Sequence, residues 1–83
     1  MNVETTLKEV LADVLSLGDR AQRFDADTAL LGSLPELDSM AVVSLITNLE
    51  ERFGIVVEDD EIGAETFATF GTLTDFVRHK LEG

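Results

Sequence analysis

The stretch that ends at Gly54 leaves this chain the least freedom. Within Met40–Phe53, Val42, Leu45, Ile46, Leu49 and Phe53 recur at helical spacing and make one apolar face. Gly54 stops the pattern, because glycine readily takes the turn past a helix end. The spacing predicts a helix over residues 39–53 whose apolar face must be covered by the rest of the chain. Ser39 then stands at the N-terminus of that helix. Unpaired N–H groups and the positive end of the helix dipole favour an anion there.

Two more helices follow from the same periodicity. Val3, Leu7, Val10, Leu11, Val14 and Leu15 form one stripe, which predicts a first helix over residues 3–17 with Asn2 as N-cap and Gly18 as its stop. Phe70, Leu73, Phe76, Val77 and Leu81 form the inner face of a last helix over residues 70–82. Thr69 caps it, and Arg78, His79 and Lys80 lie in its final turn, where cations suit the dipole. Residues 18–38 read as a long connection, tacked to the core by Leu30, Leu31 and Leu34. Its length counts against an ordinary tight helical bundle, or else points to a functional loop. Ile55-Val56-Val57 is strand-like but has no partner, so it reads as an extended link. The acidic run Glu58-Asp59-Asp60-Glu61 leads into a short third helix through Ile62, Ala64 and Phe67, capped by Asp59 or Asp60 and weakened by Gly63. The expected fold is all-α: a small four-helix bundle with a long loop between helices one and two. Residues 1–83 form one domain, without repeat or internal boundary.

Composition narrows the function. A net charge of −11 makes nucleic acid and anionic membrane surfaces poor partners and basic protein surfaces good ones. The chain has no cysteine, which excludes disulfides, thiolate metal sites and a cysteine nucleophile. A thiol, if one acts here, comes from a cofactor. No apolar run reaches spanning length and the N-terminus lacks signal-peptide order, so the expectation is a cytoplasmic monomer without stable membrane insertion.

Ser39 and Asp38 are both residue types favoured as plain helix caps. No Glu or Gln stands at the third helical position to complete a capping box, since Ala41 and Val42 are there. Asp38-Ser39-Met40 before such a helix resembles the attachment site of acyl carrier proteins, usually written Asp-Ser-Leu. Leu45, Leu49 and Phe53 behind it, Glu50-Glu51 and the element order extend the resemblance over nearly the whole chain. It implies a carrier and not an enzyme. Ser39 would bear a covalent 4′-phosphopantetheine arm, attached by a phosphopantetheinyl transferase, and the arm would hold an acyl or aminoacyl group as a thioester. An acyl-loading ligase or acyltransferase and downstream biosynthetic enzymes would be its partners. Asp38 would support the transferase near its magnesium-bound coenzyme A. Val42, Leu45, Ile46, Leu49, Phe53, Ile62 and Phe76 would line an acyl pocket or be plain core. Ala41 and Ser44 stand where fatty-acid-synthesis carriers often have acids, a lean toward the peptidyl-carrier branch. A cofactor-free acidic interaction domain is the alternative from another class.

Met40, Glu50 and Glu51 are the candidate partner contacts. Met40 lies opposite Leu49 on the helix, beside Ser39, where a flexible thioether adapts to several surfaces. Two other patterns fail. Asp25, Asp27 and Glu36 match positions of a calcium loop, but Leu30 stands where that loop needs glycine, so no metal is expected. His79, the only histidine, has no orienting acid or oxyanion motif with which to make a catalytic pair with Ser39.

Overall fold

The computed structural model describes residues 2–35 and 37–82. Its elements are α1 (Val3–Leu15), a 3-10 helix (Gly18–Arg23), α2 (Ser39–Phe53), a 3-10 turn (Asp59–Glu61) and α3 (Phe70–Glu82). The fold is all-α, and among the described residues the only sheet-like feature is one isolated antiparallel bridge, Ala29 with Thr69. α1 packs against both α2 and α3. Leu7, Val10 and Leu11 of α1, Leu45 and Leu49 of α2, and Phe70, Leu73 and Val77 of α3 are almost wholly excluded from solvent. The three apolar stripes meet as their periodicity requires, except that Leu81, read into the inner face of the last helix, is 42% exposed near its end.

The N-caps of α1 and α3 and the glycine stop of α2 stand where the sequence places them. The Asn2 side chain accepts from the Thr5 N–H at 3.0 Å. Thr69 and Thr72 cap α3 reciprocally: the Thr69 hydroxyl accepts from the Thr72 N–H, and the Thr72 hydroxyl accepts from the Thr69 N–H, both at 3.1 Å. Gly54 takes the left-handed conformation at φ 67° and returns its N–H to the Glu50 carbonyl.

The end of α1 differs from expectation. The helix stops at Leu15, not at residue 17, and Ser16 rather than Gly18 takes the left-handed cap at φ 56°. The Ser16 and Leu17 N–H groups both turn back to the Ala12 carbonyl, and Leu17 is delivered into the core. Burial of Leu17 offsets the cost of a left-handed non-glycine residue. The chain then continues as the 3-10 helix Gly18–Arg23, within what the sequence predicts as a long connection.

The rest of that connection is tied down by backbone pairing. Leu30 and Leu31 donate their N–H groups to the Ala68 and Phe67 carbonyls, each at 2.9 Å. Phe70 and Gly71, at the start of α3, donate to the Thr28 and Ala26 carbonyls at 2.8 and 3.1 Å. The loop therefore satisfies N–H groups that every helix leaves without intrahelical partners at its N-terminus. Phe24, Leu30, Leu34 and Leu37 are buried along the same path, while Leu31 is 40% exposed. Leu31 was expected to tack the loop to the core by its side chain; its backbone N–H makes the contact instead.

The short third helix is present only as the single turn Asp59–Glu61. It does not run on through Ile62, Ala64 and Phe67. Gly63 costs about 1 kcal/mol in a helix interior, and the Thr66 hydroxyl donates to the Glu61 carbonyl that a longer helix would need. Two 3-10-type bonds, Thr66 N–H to Gly63 and Ala68 N–H to Glu65, carry the chain onward. Lys80 of α3 holds the turn in place, its Nζ lying 2.8 and 3.0 Å from the two Glu61 carboxylate oxygens. That hydrogen bond, together with the N–H of Glu58, lowers the Glu61 pKa from its ordinary value.

Two predictions test these ties. A Cβ on Gly71 would meet the Ala26 carbonyl oxygen at 2.7 Å, whereas one on Gly63 would meet nothing within 4 Å. Gly71→Ala should cost about 1–3 kcal/mol by overpacking against backbone, and Gly63→Ala should be neutral or stabilising by up to about 1 kcal/mol. Thermal unfolding followed by circular dichroism would show this, and equal melting points for the two variants would contradict it. For Glu61, a lowered native pKa means that its stabilisation is complete above the ordinary carboxylate value and is lost as pH falls through the native one. Lys80→Met should therefore be less stable than the parent at neutral pH, with the gap closing in acid. A gap that is constant with pH would show that the ion pair is not its source.

Candidate functional site

Leu34 and Leu37 anchor the chain just before α2. Both are buried, and the Leu37 N–H donates to the Leu34 carbonyl at 3.0 Å. One residue later the backbone is extended: Asp38 has φ −106° and ψ −174°. Its Oδ1 accepts from the Ala41 N–H at 2.8 Å and its carbonyl accepts from the Val42 N–H at 2.9 Å. Asp38 is thus the N-cap of α2, and Ser39 is the first helical residue rather than a cap.

The Ser39 side chain is exposed, and among the described residues nothing hydrogen-bonds its hydroxyl. Asp38 uses one carboxylate oxygen as the cap; the second has no partner among the described residues. The cap therefore leaves the second Asp38 oxygen uncommitted within the described residues. The site is an open helix end in which a primary hydroxyl, a carboxylate oxygen and the first N–H groups of α2 face solvent together. Such an end accommodates a phosphodiester: the hydroxyl is free to be esterified, and the helix N-terminus favours the added negative charge. A separate cavity of about 130 Å³ lies between the start of α1 and the stretch of α3 from Phe70 to Arg78, and none of its lining residues, among them Glu4, Gly71 and Arg78, belongs to α2.

Met40 is 80% exposed beside Ser39. The two neighbouring acids of α2 have different surroundings. Glu50 is half-buried and its Oε2 accepts from the Val57 N–H at 2.9 Å, tying the end of the helix to the link that follows. Glu51 is exposed, with no ion pair or hydrogen bond to its side chain among the described residues. Arg52 turns the other way, to Glu9 of α1 at 3.3 Å and Asp13 at 4.0 Å. Val43, not among the contacts expected from the sequence, is 65% exposed. Its place one turn from Met40 on the outer side of the helix was the available signal.

The remaining sequence candidates fall elsewhere. Leu45, Leu49 and Phe53 are buried core, with Val42, Ile46, Ile62 and Phe76 packed half-buried around it. Asp25 is used locally: its Oδ1 accepts from the Asp27 N–H at 3.0 Å and the Thr28 hydroxyl at 3.1 Å. Glu36, the other member of the rejected calcium pattern, lies outside the described residues. Among those described, no cluster of three or more candidate ligands surrounds a metal position. His79 is exposed in the last turn of α3.

Comparison with known proteins gives the family and the fold. Residues 5–79 match the family model described as phosphopantetheine attachment site. An acyl carrier protein of Desulforapulum autotrophicum is 32% identical over 80 residues, which span 96% of this chain and 99% of that protein. The solution structure of a holo acyl carrier protein from Nitrosomonas europaea superposes with a TM-score of 0.92 at 52% identity, each chain being covered completely.

The cap and the charge of Asp38 are separable. Asp38→Ala should cost about 1 kcal/mol, and Asp38→Asn only a few tenths, because asparagine caps nearly as well. Equal destabilisation in thermal unfolding would mean that the charge, not the cap, supports the start of α2.

Proposed function

Because the chain belongs to the phosphopantetheine-attachment family, with acyl carrier proteins as its relatives, we propose that Ser39 Oγ is the atom to which its prosthetic arm is joined. The protein is a carrier and not a catalyst: it holds an acyl group as a thioester on phosphopantetheine and presents it to biosynthetic enzymes. One observation supports Ser39 above all. Its hydroxyl is exposed and unpartnered at the first position of a helix whose cap is another residue.

The arm supplies a terminal thiol, which a chain with no cysteine lacks. The chain's own residues do the positioning. The Asp38 cap fixes the first turn, so Ser39 is held on a rigid end and not on a loose loop. The open N–H groups of that turn stabilise the phosphodiester charge. The second Asp38 oxygen faces outward, where a transferase brings magnesium-bound coenzyme A. Met40 and Glu51 offer contacts to that transferase, to the loading ligase or acyltransferase and to later enzymes, and Glu50 adds charge behind them. We read residues 1–83 as one domain and the protein as a cytoplasmic monomer. Among the described residues no helix is long and apolar enough to cross a membrane.

Incubation with coenzyme A, magnesium and a broad-specificity phosphopantetheinyl transferase should add one arm, read by intact mass. Ser39→Ala should take none and stay folded, with stability within about 0.5 kcal/mol of the parent, as expected at an exposed position that caps nothing. An unlabelled parent beside a labelled control carrier, or a labelled Ser39→Ala, would overturn the assignment.

A further inference from the structure

The cavity of about 130 Å³ between α1 and α3 takes no part in arm attachment, and none of its lining belongs to α2. Its rim is charged: Glu4, Asp75 and Arg78 line it and are all exposed. Arg78 is held by Glu4 at 2.7 Å, whereas the Asp75 carboxylate has no partner among the described residues. Two carboxylates against one guanidinium leave the rim one negative charge in excess. Lys8, whose Nζ lies 6.0 Å from the centre of the Phe70 ring, donates to the Gln22 carbonyl at 3.4 Å and leaves that charge unmatched.

The inner lining adds acceptors. Thr74 is the one buried polar residue among those described, 4% exposed, and it lines this cavity. Its hydroxyl proton is spent on the Phe70 carbonyl at 2.8 Å, so its oxygen has only lone pairs left to offer. The Ala26 carbonyl accepts the Gly71 N–H at 3.1 Å and keeps a second lone pair. A buried hydroxyl oxygen and an unpaired carboxylate at one cavity call for a cation that donates several hydrogen bonds. The volume indicates which. A cavity of about 150 Å³ admits benzene, so this one holds about six heavy atoms, a guanidinium with two methylenes. The planar fork of a guanidinium reaches acceptors on several sides at once, which a compact ammonium does not.

We propose that this cavity seats a single arginine side chain of a partner protein, its guanidinium bonded to the Asp75 carboxylate and to Thr74 Oγ1. The occupant is part of a protein and not the free amino acid. The cavity takes only the end of the side chain, so the α-carboxylate of free arginine would be left at a rim that is itself negative, and a peptide-linked arginine carries no such charge. A chain of net charge −11 also draws basic protein surfaces toward it. The contact is made through α1, α3 and the Ala26 backbone, and it leaves the open end of α2 clear. It stands independently of which residue bears the arm.

Proton–nitrogen correlation NMR tests this on the whole chain by following the amides of Gly71, Thr74 and Asp75. The probe is N-acetyl-arginine methylamide; its neutral isostere N-acetyl-citrulline methylamide and N-acetyl-lysine methylamide are compared at equal ionic strength. The arginine probe should shift these amides saturably, in the millimolar range expected of so small a contact. The lysine probe should bind at least about threefold more weakly, and the citrulline probe should not saturate. Asp75→Asn should weaken the arginine probe about tenfold or more, the scale of one charge-assisted hydrogen bond. Asp60→Asn makes the same change on an exposed residue of the Asp59–Glu61 turn and should leave binding within about twofold of the parent. Circular dichroism confirms the fold of each variant, and the arginine–citrulline comparison on the parent decides the outcome if Asp75→Asn is unfolded. Equal binding of the arginine and citrulline probes, or equal binding by the two variants, would overturn the site. A lysine probe that matches arginine would overturn the choice of side chain, and free arginine binding more tightly than the capped probe would overturn a protein as its source.

Discussion

The N-terminus of α3 is completed by the backbone of the long connection, and much of the molecule depends on that pairing. Residues 26–31 and 67–71 exchange N–H and carbonyl groups through Ala26, Thr28, Leu30 and Leu31 on one side and Phe67, Ala68, Phe70 and Gly71 on the other. A loop that carries buried leucines must also bury peptide groups, and these are costly unless paired. Pairing them with the approach to α3 solves the problem for both segments. It lets Leu30, Leu34 and Leu37 enter the core, and so it sets where the chain emerges as Asp38 and Ser39. Gly71 has no side chain because the Ala26 carbonyl occupies the space that one would need.

The distribution of charge follows a similar division between inside work and outward display. Arg52 and Arg78 reach acids of α1 from α2 and α3. Exposed pairs of this kind contribute little stability, but they remove cations from the acidic surface. Lys80 pins Glu61, and Glu50 is taken up by the Val57 N–H. What remains displayed on α2 is sparse: one oxygen of Asp38, Glu51, and the apolar step of Met40 and Val43. A rigid capped helix end with a free hydroxyl suits a carrier, since partners must meet the same geometry each time while the moving part is the arm.

The three long helices and their N-caps were legible because their causes are local. The apolar spacing of Leu7, Val10 and Leu11, or of Leu45 and Leu49, acts within a few residues, as do the side-chain bonds of Asn2, Asp38 and Thr69. The start of α2 was legible for the same reason: Asp38-Ser39-Met40 is contiguous and opens a recognisable helix. The sequence alone thus determined the helical class, the place of Ser39 at a helix start and the acidic character of the surface.

Tertiary structure decided the rest. α1 stops at Leu15 because Leu17 is wanted in the core, which no local rule states. Asp59–Glu61 stays a single turn because Thr66 takes the next carbonyl and Lys80 holds Glu61 from a different helix. Glu50 and Glu51 are adjacent and chemically identical, yet one ties down Val57 and the other faces solvent. The pairing of residues 26–31 with 67–71 joins segments far apart in the chain, and backbone hydrogen bonds carry no side-chain signature. Contacts of that kind depend on how the helices pack, so they could be seen in the folded molecule and not in the order of its residues.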